Sequence, residues 1–317
     1  MKILIVGLGS IGKRHAQILK EMPANEIFAL RTFKGEEKNG LGIRELSSWS
    51  EVDELDFEVA LITNPTFMHV ETAFECAKRN MHLFIEKPID CKTDGLDKLI
   101  ELVREKNLTA YVAYPLRFHP VIHELKKKLQ GQNILHSRAV CASYMPNWRS
   151  KQKRKTTYSS FREQGGGVIL DSSHEIDYIE YLFGEIKDIQ GIYGRQSSVT
   201  VDSEDFCDLN LFHPEGVTNL HMNLFSFETQ RYIEIDTKEF YIKGDLNRFQ
   251  ITIKDHTRES TLNFSTEYEA MFRSQIRYFF EHLGNPDIQN NLITAAKLFR
   301  KVLEFRNGKE YSYNHLR

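Results

Sequence analysis

The stretch Ile3-Leu4-Ile5-Val6-Gly7-Leu8-Gly9-Ser10-Ile11-Gly12 decides how the first part of this chain folds. Residues 3–6 read as a short central strand, because β-branched and aliphatic side chains in so brief a run suit a buried sheet. The Gly-x-Gly-x-x-Gly that follows opens a helix through Lys13-Arg14-His15-Ala16-Gln17-Ile18-Leu19. Gly7 permits the tight turn, Gly9 lets a pyrophosphate approach the backbone, and Gly12 allows close helix–strand packing. The helix start then offers unpaired N–H groups and partial positive charge to phosphates. Strand, glycine loop and helix in this order predict a dinucleotide site, with Gly7, Gly9, Ser10, Ile11 and Gly12 as its cofactor-binding residues.

A second strand is predicted at Ile27-Phe28-Ala29-Leu30. About 20 positions after the glycines, an Asp or Glu would accept from the ribose 2′-hydroxyl of NAD. Arg31-Thr32 stands there instead, with Lys34 close by. A cation and a hydroxyl suit a 2′-phosphate, so the reading leans to NADP over NAD. Arg31 as a solvated strand-end residue, or stacked on adenine, is the other reading. Val59-Ala60-Leu61-Ile62 predicts a strand ending at Thr63-Asn64-Pro65, and residues 67–78 a helix. Leu83-Phe84-Ile85 reads as a buried parallel strand that Pro88 stops. Lys87 is thereby set at the carboxyl edge of the sheet, where open α/β folds keep their ligands. An ammonium there can polarise a carbonyl or alcohol oxygen; taken alone, a solvated strand-end lysine reads as well. A helix over 95–105 and a strand over 109–113 continue the alternation. The expected fold is α/β, with a doubly wound Rossmann domain over residues 1–119.

The pattern changes after Pro120, where a helix to Leu129 is closed by Gly131. From Ile134 the reading is strands. Leu220, Met222 and Leu224 alternate with Asn219, His221 and Asn223, and Ile233 and Ile235 with Glu234 and Asp236. Further strands are expected at 240–242 and 249–253, with turns such as Lys243-Gly244-Asp245. The prediction is an α+β domain over residues 120–317, built on an open, mostly antiparallel sheet and closed by helices near 268–283 and 292–305. A broad sheet face needs a cover and a second subunit is one, so a homodimer or homotetramer through this sheet is expected. Within this half, Gly165-Gly166-Gly167-Val168-Ile169-Leu170-Asp171-Ser172-Ser173-His174-Glu175-Ile176-Asp177 stands out. The glycines let the chain pass close to a ligand or to another backbone. Asp171, His174 and Asp177 recur every third residue, on one face of a helix expected to run to Phe183 and stop at Gly184. Ionisable groups on an otherwise apolar helix are costly to bury unless used or paired. A helix-start aspartate with a hydrogen-bonded core histidine is the alternative.

The chain as a whole narrows the choices. Its 317 residues suit two domains of ordinary size, and 41% hydrophobic with 27% charged residues suits a globular protein with a sizeable core. Lys plus Arg is 42 against 44 for Asp plus Glu, a balance that does not suggest nucleic acid as partner. Cys76, Cys91, Cys141 and Cys207 are scattered without a CxxC, which fits a reducing cytoplasm better than a disulfide framework or a zinc site. His119 and His123 have a spacing metals use, but no third ligand accompanies them and His119 before Pro120 reads as a cap, so no metal is expected. No apolar run nears the ~18 residues of a membrane helix. With a strand expected from Lys2 or Ile3, no secretory leader is expected either.

Together these segments resemble the glucose–fructose oxidoreductase, inositol dehydrogenase and MocA (Gfo/Idh/MocA) family, from Lys2 to about Gly184 and more weakly beyond. Gly7 to Gly12 is similar to the family's nucleotide loop. Thr63-Asn64-Pro65-Thr66 with His69 resembles the segment beside the nicotinamide, which implies Asn64, Pro65 and His69 as cofactor contacts. Glu86-Lys87-Pro88 resembles the signature triplet, which implies Glu86 and Lys87 at the cofactor and Lys87 as catalytic. Tyr114-Pro115-Leu116-Arg117-Phe118-His119-Pro120 resembles the hinge into the second domain. The triple glycine with Asp171 and His174 resembles the segment of the catalytic aspartate and histidine, although the family separates them by four positions and here they are three apart. The form Asp-x-x-His-Glu-Ile-Asp, with Trp148-Arg149 and Tyr158-Ser159 ahead of the glycines, is similar to a subset associated with sugar or sugar-nucleotide metabolism for surface glycans.

The resemblance implies a cytoplasmic NAD(P)-dependent oxidoreductase that moves a hydride between nicotinamide and a secondary alcohol or ketone of a sugar, nucleotide-linked or from a surface glycan. His174 would act as general base, because imidazole titrates near neutral pH. Lys87 would stabilise charge on the same oxygen, and Asp171 would orient His174 or bond a neighbouring hydroxyl. Tyr114, Arg117, Trp148, Arg149, Tyr158 and Asp177 are the substrate-binding candidates. Arg149, Lys151, Lys153, Arg154 and Lys155 read either as a loop meeting phosphates or an acidic sugar, or as a solvated loop. Two rivals stay open: a bound NAD used for transient oxidation with net glycoside cleavage or epimerisation, and a non-catalytic, dinucleotide-sensing regulator.

Overall fold

The computed structural model describes residues 1–22, 25–31, 39–148, 158–200, 202–265 and 267–308. Contacts divide the chain into two compact units, Met1–Ala113 with Phe272–Lys297, and Tyr114–Met271 with the chain from Leu298 on. The boundary at 119/120 drawn from the sequence follows chain order alone. Packing brings Phe272–Lys297 to the first unit as well, because Phe279 is buried edge-on against Phe84, with ring centroids 5.4 Å apart, and beside Tyr111.

In the first unit, β1 (Lys2–Val6), β2 (Glu26–Leu30), β3 (Arg44–Leu46), β4 (Val59–Ile62), β5 (His82–Glu86) and β6 (Ala110–Ala113) make one sheet in the order β3-β2-β1-β4-β5-β6. All its pairings are parallel. Helices α1 (Ser10–Glu21), α2 (Trp49–Asp53), α3 (His69–Lys78) and α4 (Leu96–Glu105) connect the strands. The central strands are buried throughout, which is why they appear in the sequence as unbroken aliphatic runs and not as an alternating pattern. Strand order reverses between β1 and β4, so the carboxyl ends of these strands form the crevice where such sheets bind ligands.

In the second unit, α5 (Pro120–Lys128) precedes β7 (Ile134–Tyr144), and two helices, α6 (Val168–Asp171) and α7 (Ser173–Phe183), follow it. Strands β8 (Asp188–Gly194), β9 (Phe206–His213), β10 (Gly216–Asn223), β11 (Phe225–Thr237), β12 (Tyr241–Asp245), β13 (Gln250–Lys254) and β14 (Glu259–Asn263) join β7 in a sheet ordered β14-β13-β12-β11-β7-β10-β9-β8. Only β7 and β10 pair in parallel. Helices α8 (Tyr268–Glu281) and α9 (Leu292–Arg306) follow in sequence, with the part from Phe272 to Lys297 belonging to the first unit. Ala139, Leu220, Met222, Ile233, Ile235 and Ile242 fill one face of the sheet. The other carries Arg138, Glu234 and Lys243, with Arg138 Nε and Lys243 Nζ donating to Glu234 at 3.0 and 2.9 Å.

Two local expectations are corrected. Lys243-Gly244-Asp245 is no turn but the last three residues of β12, with Gly244 paired to Ile233 and Ile251. A Cβ on Gly244 would lie 2.8 Å from the side chains of Val121 and Leu125, so the glycine is there to let α5 lie close on the sheet. The single helix expected from Asp171 to Phe183 is two. Ser172, at φ −100° and ψ 24°, breaks it, so Asp171 ends α6 while His174 and Asp177 lie on α7. Asp171 and His174 therefore lie on consecutive helices and not on one.

Candidate functional site

The glycine loop carries the first part of the site. Gly7 has φ +89°, and a Cβ there would meet the Asn64 backbone at 2.7 Å. A Cβ on Gly12 would lie 2.3 Å from the Gly7 carbonyl and 2.7 Å from Thr63 Oγ1. Turn and helix are thus pressed onto the end of β4, and Thr63 Oγ1 donates to the Gly7 carbonyl at 2.6 Å. At Gly9 a Cβ would meet nothing within 4 Å. Gly9 also stands at the N-terminus of α1, which has no acidic residue in its first turn and no side-chain cap at Gly9. Open space, exposed N–H groups and an uncompensated helix dipole fit a pyrophosphate.

Arg31 lies at the end of β2, and its Nη1 donates to Glu45 of β3 at 2.8 Å. Burial works against the Glu45 carboxylate, but hydrogen bonds from Asn39 and Arg31 together hold its carboxyl below the ordinary glutamate range. Thr32 and Lys34 lie outside the described residues, as do Arg149, Lys151, Lys153, Arg154 and Lys155.

The Asn64–Pro65 turn and the Glu86-Lys87-Pro88 strand end are tied together by His69. Its Nδ1 lies 2.9 Å from the Pro88 carbonyl and its Nε2 2.9 Å from the Asn64 carbonyl, with the ring buried. His69, expected at the cofactor, thus serves as a clamp between two loops that end adjacent strands. Asn64 donates to Thr72 Oγ1 at 2.7 Å, while its own Oδ1 is buried without a hydrogen-bond partner. Asp90 accepts from Val70 N and Cys91 N, fixing the chain past Pro88 to the start of α3. Lys87 is half-buried at the carboxyl end of β5. Glu86 is buried beside it, with Oε1 2.6 Å from His15 Nε2 and Oε2 accepting from Lys87 N at 3.2 Å. The sequence reading passed over His15; the available signal was its place on the buried stripe of α1 with Gly12, Ala16 and Leu19.

In the second unit, His174 is half-buried on α7, and Tyr114 presents its ring edge-on to it at 5.7 Å between centroids. Burial, then the charge of Asp177, pushes the Tyr114 phenol up. Asp171 accepts from Ser159 Oγ at 3.3 Å. Arg117 and Asp177, both expected to meet substrate, meet each other. Arg117 Nε and Nη2 donate to the two carboxylate oxygens at 2.9 and 2.8 Å, with side chains 9% and 1% exposed. Next to His174, the buried Glu175 accepts from Nε of the partly exposed Arg231 at 2.6 Å, a pair that no local pattern announced. The triple glycine has packing reasons: a Cβ on Gly166 would lie 2.4 Å from the Ser159 carbonyl, and one on Gly167 2.4 Å from the Glu204 carboxylate. Trp148 is exposed and Tyr158 half-buried.

Burial pushes the thiols of Cys76 and Cys141 up to about 12, so neither serves as a nucleophile near neutral pH. His119 caps α5, its Nδ1 accepting from Val121 N at 3.2 Å. Among the described residues no group of His, Cys, Asp and Glu is arranged to hold a metal ion, and no helix is long and apolar enough to cross a membrane.

Comparison with known proteins bears on both units. Residues 1–114 match the family profile described as oxidoreductase family, NAD-binding Rossmann fold, and residues 122–249 match that of the GFO/IDH/MocA C-terminal domain. A 2,7-anhydro-N-acetylneuraminate hydratase of Mediterraneibacter gnavus is 25% identical over 268 residues, 80% of this chain and 70% of that protein. The structure of a UDP-N-acetylglucosamine 3-dehydrogenase from Acidithiobacillus ferrooxidans superposes with TM-score 0.77 at 19% identity, covering 96% of each chain. A levoglucosan dehydrogenase solved with NADH superposes with TM-score 0.83 at 16% identity, again over 96% of each chain. At these identities the structural likenesses speak for the fold.

Proposed function

We propose, from the premise that this chain belongs to the Gfo/Idh/MocA oxidoreductase family, that it oxidises or reduces a secondary alcohol or ketone of a nucleotide-linked or surface-glycan sugar at the expense of a nicotinamide dinucleotide. The chain is an oxidoreductase acting on CH–OH groups, with an NAD-binding Rossmann unit. The observation that carries the reading is one sheet edge. The carboxyl end of β1 leads into the glycine turn and the open space at Gly9, and the carboxyl end of β5, one strand beyond β4, presents Lys87.

Gly7, Gly9, Ser10, Ile11 and Gly12 would hold the dinucleotide's pyrophosphate, with Asn64 and Pro65 beside the same turn. A bound nicotinamide supplies the two-electron redox chemistry. The Lys87 ammonium stabilises negative charge on the reacting oxygen. His174 holds or releases the hydroxyl proton as general base or acid, and Asp171 and Tyr114 serve the substrate side. Arg117 and Asp177 form a buried pair that supports this surface. For the cofactor, the Glu45 carboxylate on Arg31 shifts the reading from NADP to NAD, since an anion at the strand end repels a 2′-phosphate and suits a 2′-hydroxyl. The sheet face bearing Arg138, Glu234 and Lys243, and the 85% exposed Phe227 elsewhere on β11, support a homodimer or homotetramer, to be measured by light scattering. The scattered cysteines, with no CxxC among them, support a cytoplasmic location.

The test is direct. The full chain is offered NAD or NADP with UDP-N-acetylglucosamine, levoglucosan, myo-inositol and 2,7-anhydro-N-acetylneuraminate, and absorbance at the reduced nicotinamide band is followed. Lys87→Ala and His174→Ala should each keep dinucleotide binding and lose turnover by ~10² or more. Normal turnover in both removes the reading. A second reading is favoured by the hydratase relative: a net redox-neutral reaction in which the dinucleotide is reduced and reoxidised within one cycle. Product formed without net reduced nicotinamide would select it.

A further inference from the structure

We infer that His15 is a positioning residue that holds the strand end bearing Lys87, acting through Glu86. The imidazole projects from α1, the helix that follows the glycine turn, and is fully buried. Its Nε2 lies 2.6 Å from Glu86 Oε1, 71 positions along the chain. The other carboxylate oxygen of Glu86 accepts the Lys87 backbone N–H at 3.2 Å. The three residues form a chain of contacts from the glycine-loop helix to the lysine, entirely within the first unit.

The surroundings of His15 set its form. Phe84 meets the ring edge-on at 5.2 Å between centroids, Phe272 lies at 6.3 Å, and Nδ1 is buried without a hydrogen-bond partner. The ring's polar contact is therefore made through Nε2, whose N–H donates to the Glu86 carboxylate, since a carboxylate can only accept. A leucine would fill this aromatic box without polar atoms; what it could not do is hold a carboxylate. Without that donor, Glu86 has no fixed orientation, and the Lys87 amide loses a fixed acceptor just where the β ladder ends. The helix whose N-terminus faces the open space at Gly9 is therefore also the part that fixes the direction of the lysine. The inference rests on the proposed role of Lys87.

The experiment uses the full chain with NADH present and compares His15→Leu with His15→Gln, whose side-chain amide can return an N–H near the Nε2 position. Hydrogen exchange at the Lys87 amide should quicken by ~10-fold in the leucine variant and return to within about 2-fold of wild type in the glutamine variant, with the β1 amides unchanged. In turnover of the panel substrate that wild type accepts, the leucine variant should lose kcat on the order of 10- to 100-fold, with KM for the dinucleotide moved less than about 3-fold. In a Lys87→Ala background the same change should add less than about 2-fold, because the two act as one unit. Unchanged Lys87 exchange in the leucine variant overturns the inference. So does an equal kcat loss in both backgrounds, or a loss that glutamine does not rescue. Should His15→Leu fail to fold, Glu86→Gln must show faster Lys87 exchange and reduced kcat, and unchanged values there overturn the inference as well. If Lys87→Ala itself keeps full turnover, the functional reading falls, while the exchange measurement still judges the coupling by itself.

Discussion

Replacing Arg117 with methionine tests how much of the second unit rests on one buried charge pair. The bidentate contact to Asp177, at 2.9 and 2.8 Å between almost fully buried side chains, is not of the surface kind that contributes ~0–1 kcal/mol. Methionine keeps much of the volume but leaves a carboxylate in the interior with no counter-charge. Breaking a buried pair in this way costs about 3–5 kcal/mol. The solvent-exposed pair of Lys187 and Glu185 is the internal control, and Lys187→Met should cost less than about 1 kcal/mol. The sign of the pH dependence follows from Asp177. Burial holds its carboxyl above the ordinary range, with Arg117 pulling the other way. An acid whose folded value exceeds its unfolded value binds more protons in the folded state, so it favours folding at low pH and turns against it as pH rises through the folded value. Removing Arg117 raises that value further. The deficit should therefore be larger near pH 7.5 than near pH 5, since acid favours the uncharged carboxyl. Urea unfolding followed by circular dichroism at both pH values measures this. Arg117→Met with Asp177→Leu should recover most of the loss, since no charge then remains buried. A loss below about 1 kcal/mol near pH 7.5, or the same loss at both pH values, refutes the reasoning.

Gly9→Ala should leave stability within about 0.5 kcal/mol of wild type, because its Cβ meets nothing, yet weaken NAD binding by ~10-fold or more; Gly12→Ala should damage both. Calorimetric titration alongside urea unfolding checks this, and equal damage from the two variants counts against the cradle. Glu45→Gln should move the kcat/KM ratio of NADP to NAD upward by ~10-fold, and an unmoved ratio would show that the Arg31–Glu45 pair does not read the ribose. Burial, then the charge of Arg231, pushes the His119 imidazole down to about 4. Its neutral form contributes stability that is present above the unfolded value of about 6.5 and is lost as pH falls toward 4. His119→Asn keeps a cap acceptor and removes the titration, so stability across that window should be flatter than in wild type; parallel profiles contradict the assignment.

Much of the first unit was legible in residues 1–113 because each signal is local. A four-residue aliphatic run buried on both faces, such as Val59–Ile62, has no other comfortable place than a central parallel strand. The glycine turn could be read position by position, although what each glycine touches could not. The apolar alternation of Leu220 with Met222 and of Ile233 with Ile235 likewise marked the covered sheet face. The failures were at places where a local rule had two outcomes. Gly244 beside Asp245 satisfies a turn as well as a strand that must admit a helix, and Val121 and Leu125 made it the latter. Three ionisable residues at a spacing of three suit one helix face until a residue such as Ser172 leaves helical geometry.

What the sequence by itself determined is the kind of its strongly patterned elements, such as β1, β4, β5 and α1, and the covered face of β10 and β11, since side-chain volume, branching and period act over a few residues. What only the tertiary structure decided is who meets whom. Arg117 finds Asp177 across 60 positions, His15 finds Glu86 across 71, and Phe272–Lys297 returns to a unit that the chain had left at Ala113. A buried charge must have a partner, but its own neighbourhood does not say which one. That choice belongs to the packing that brings distant segments within hydrogen-bond reach.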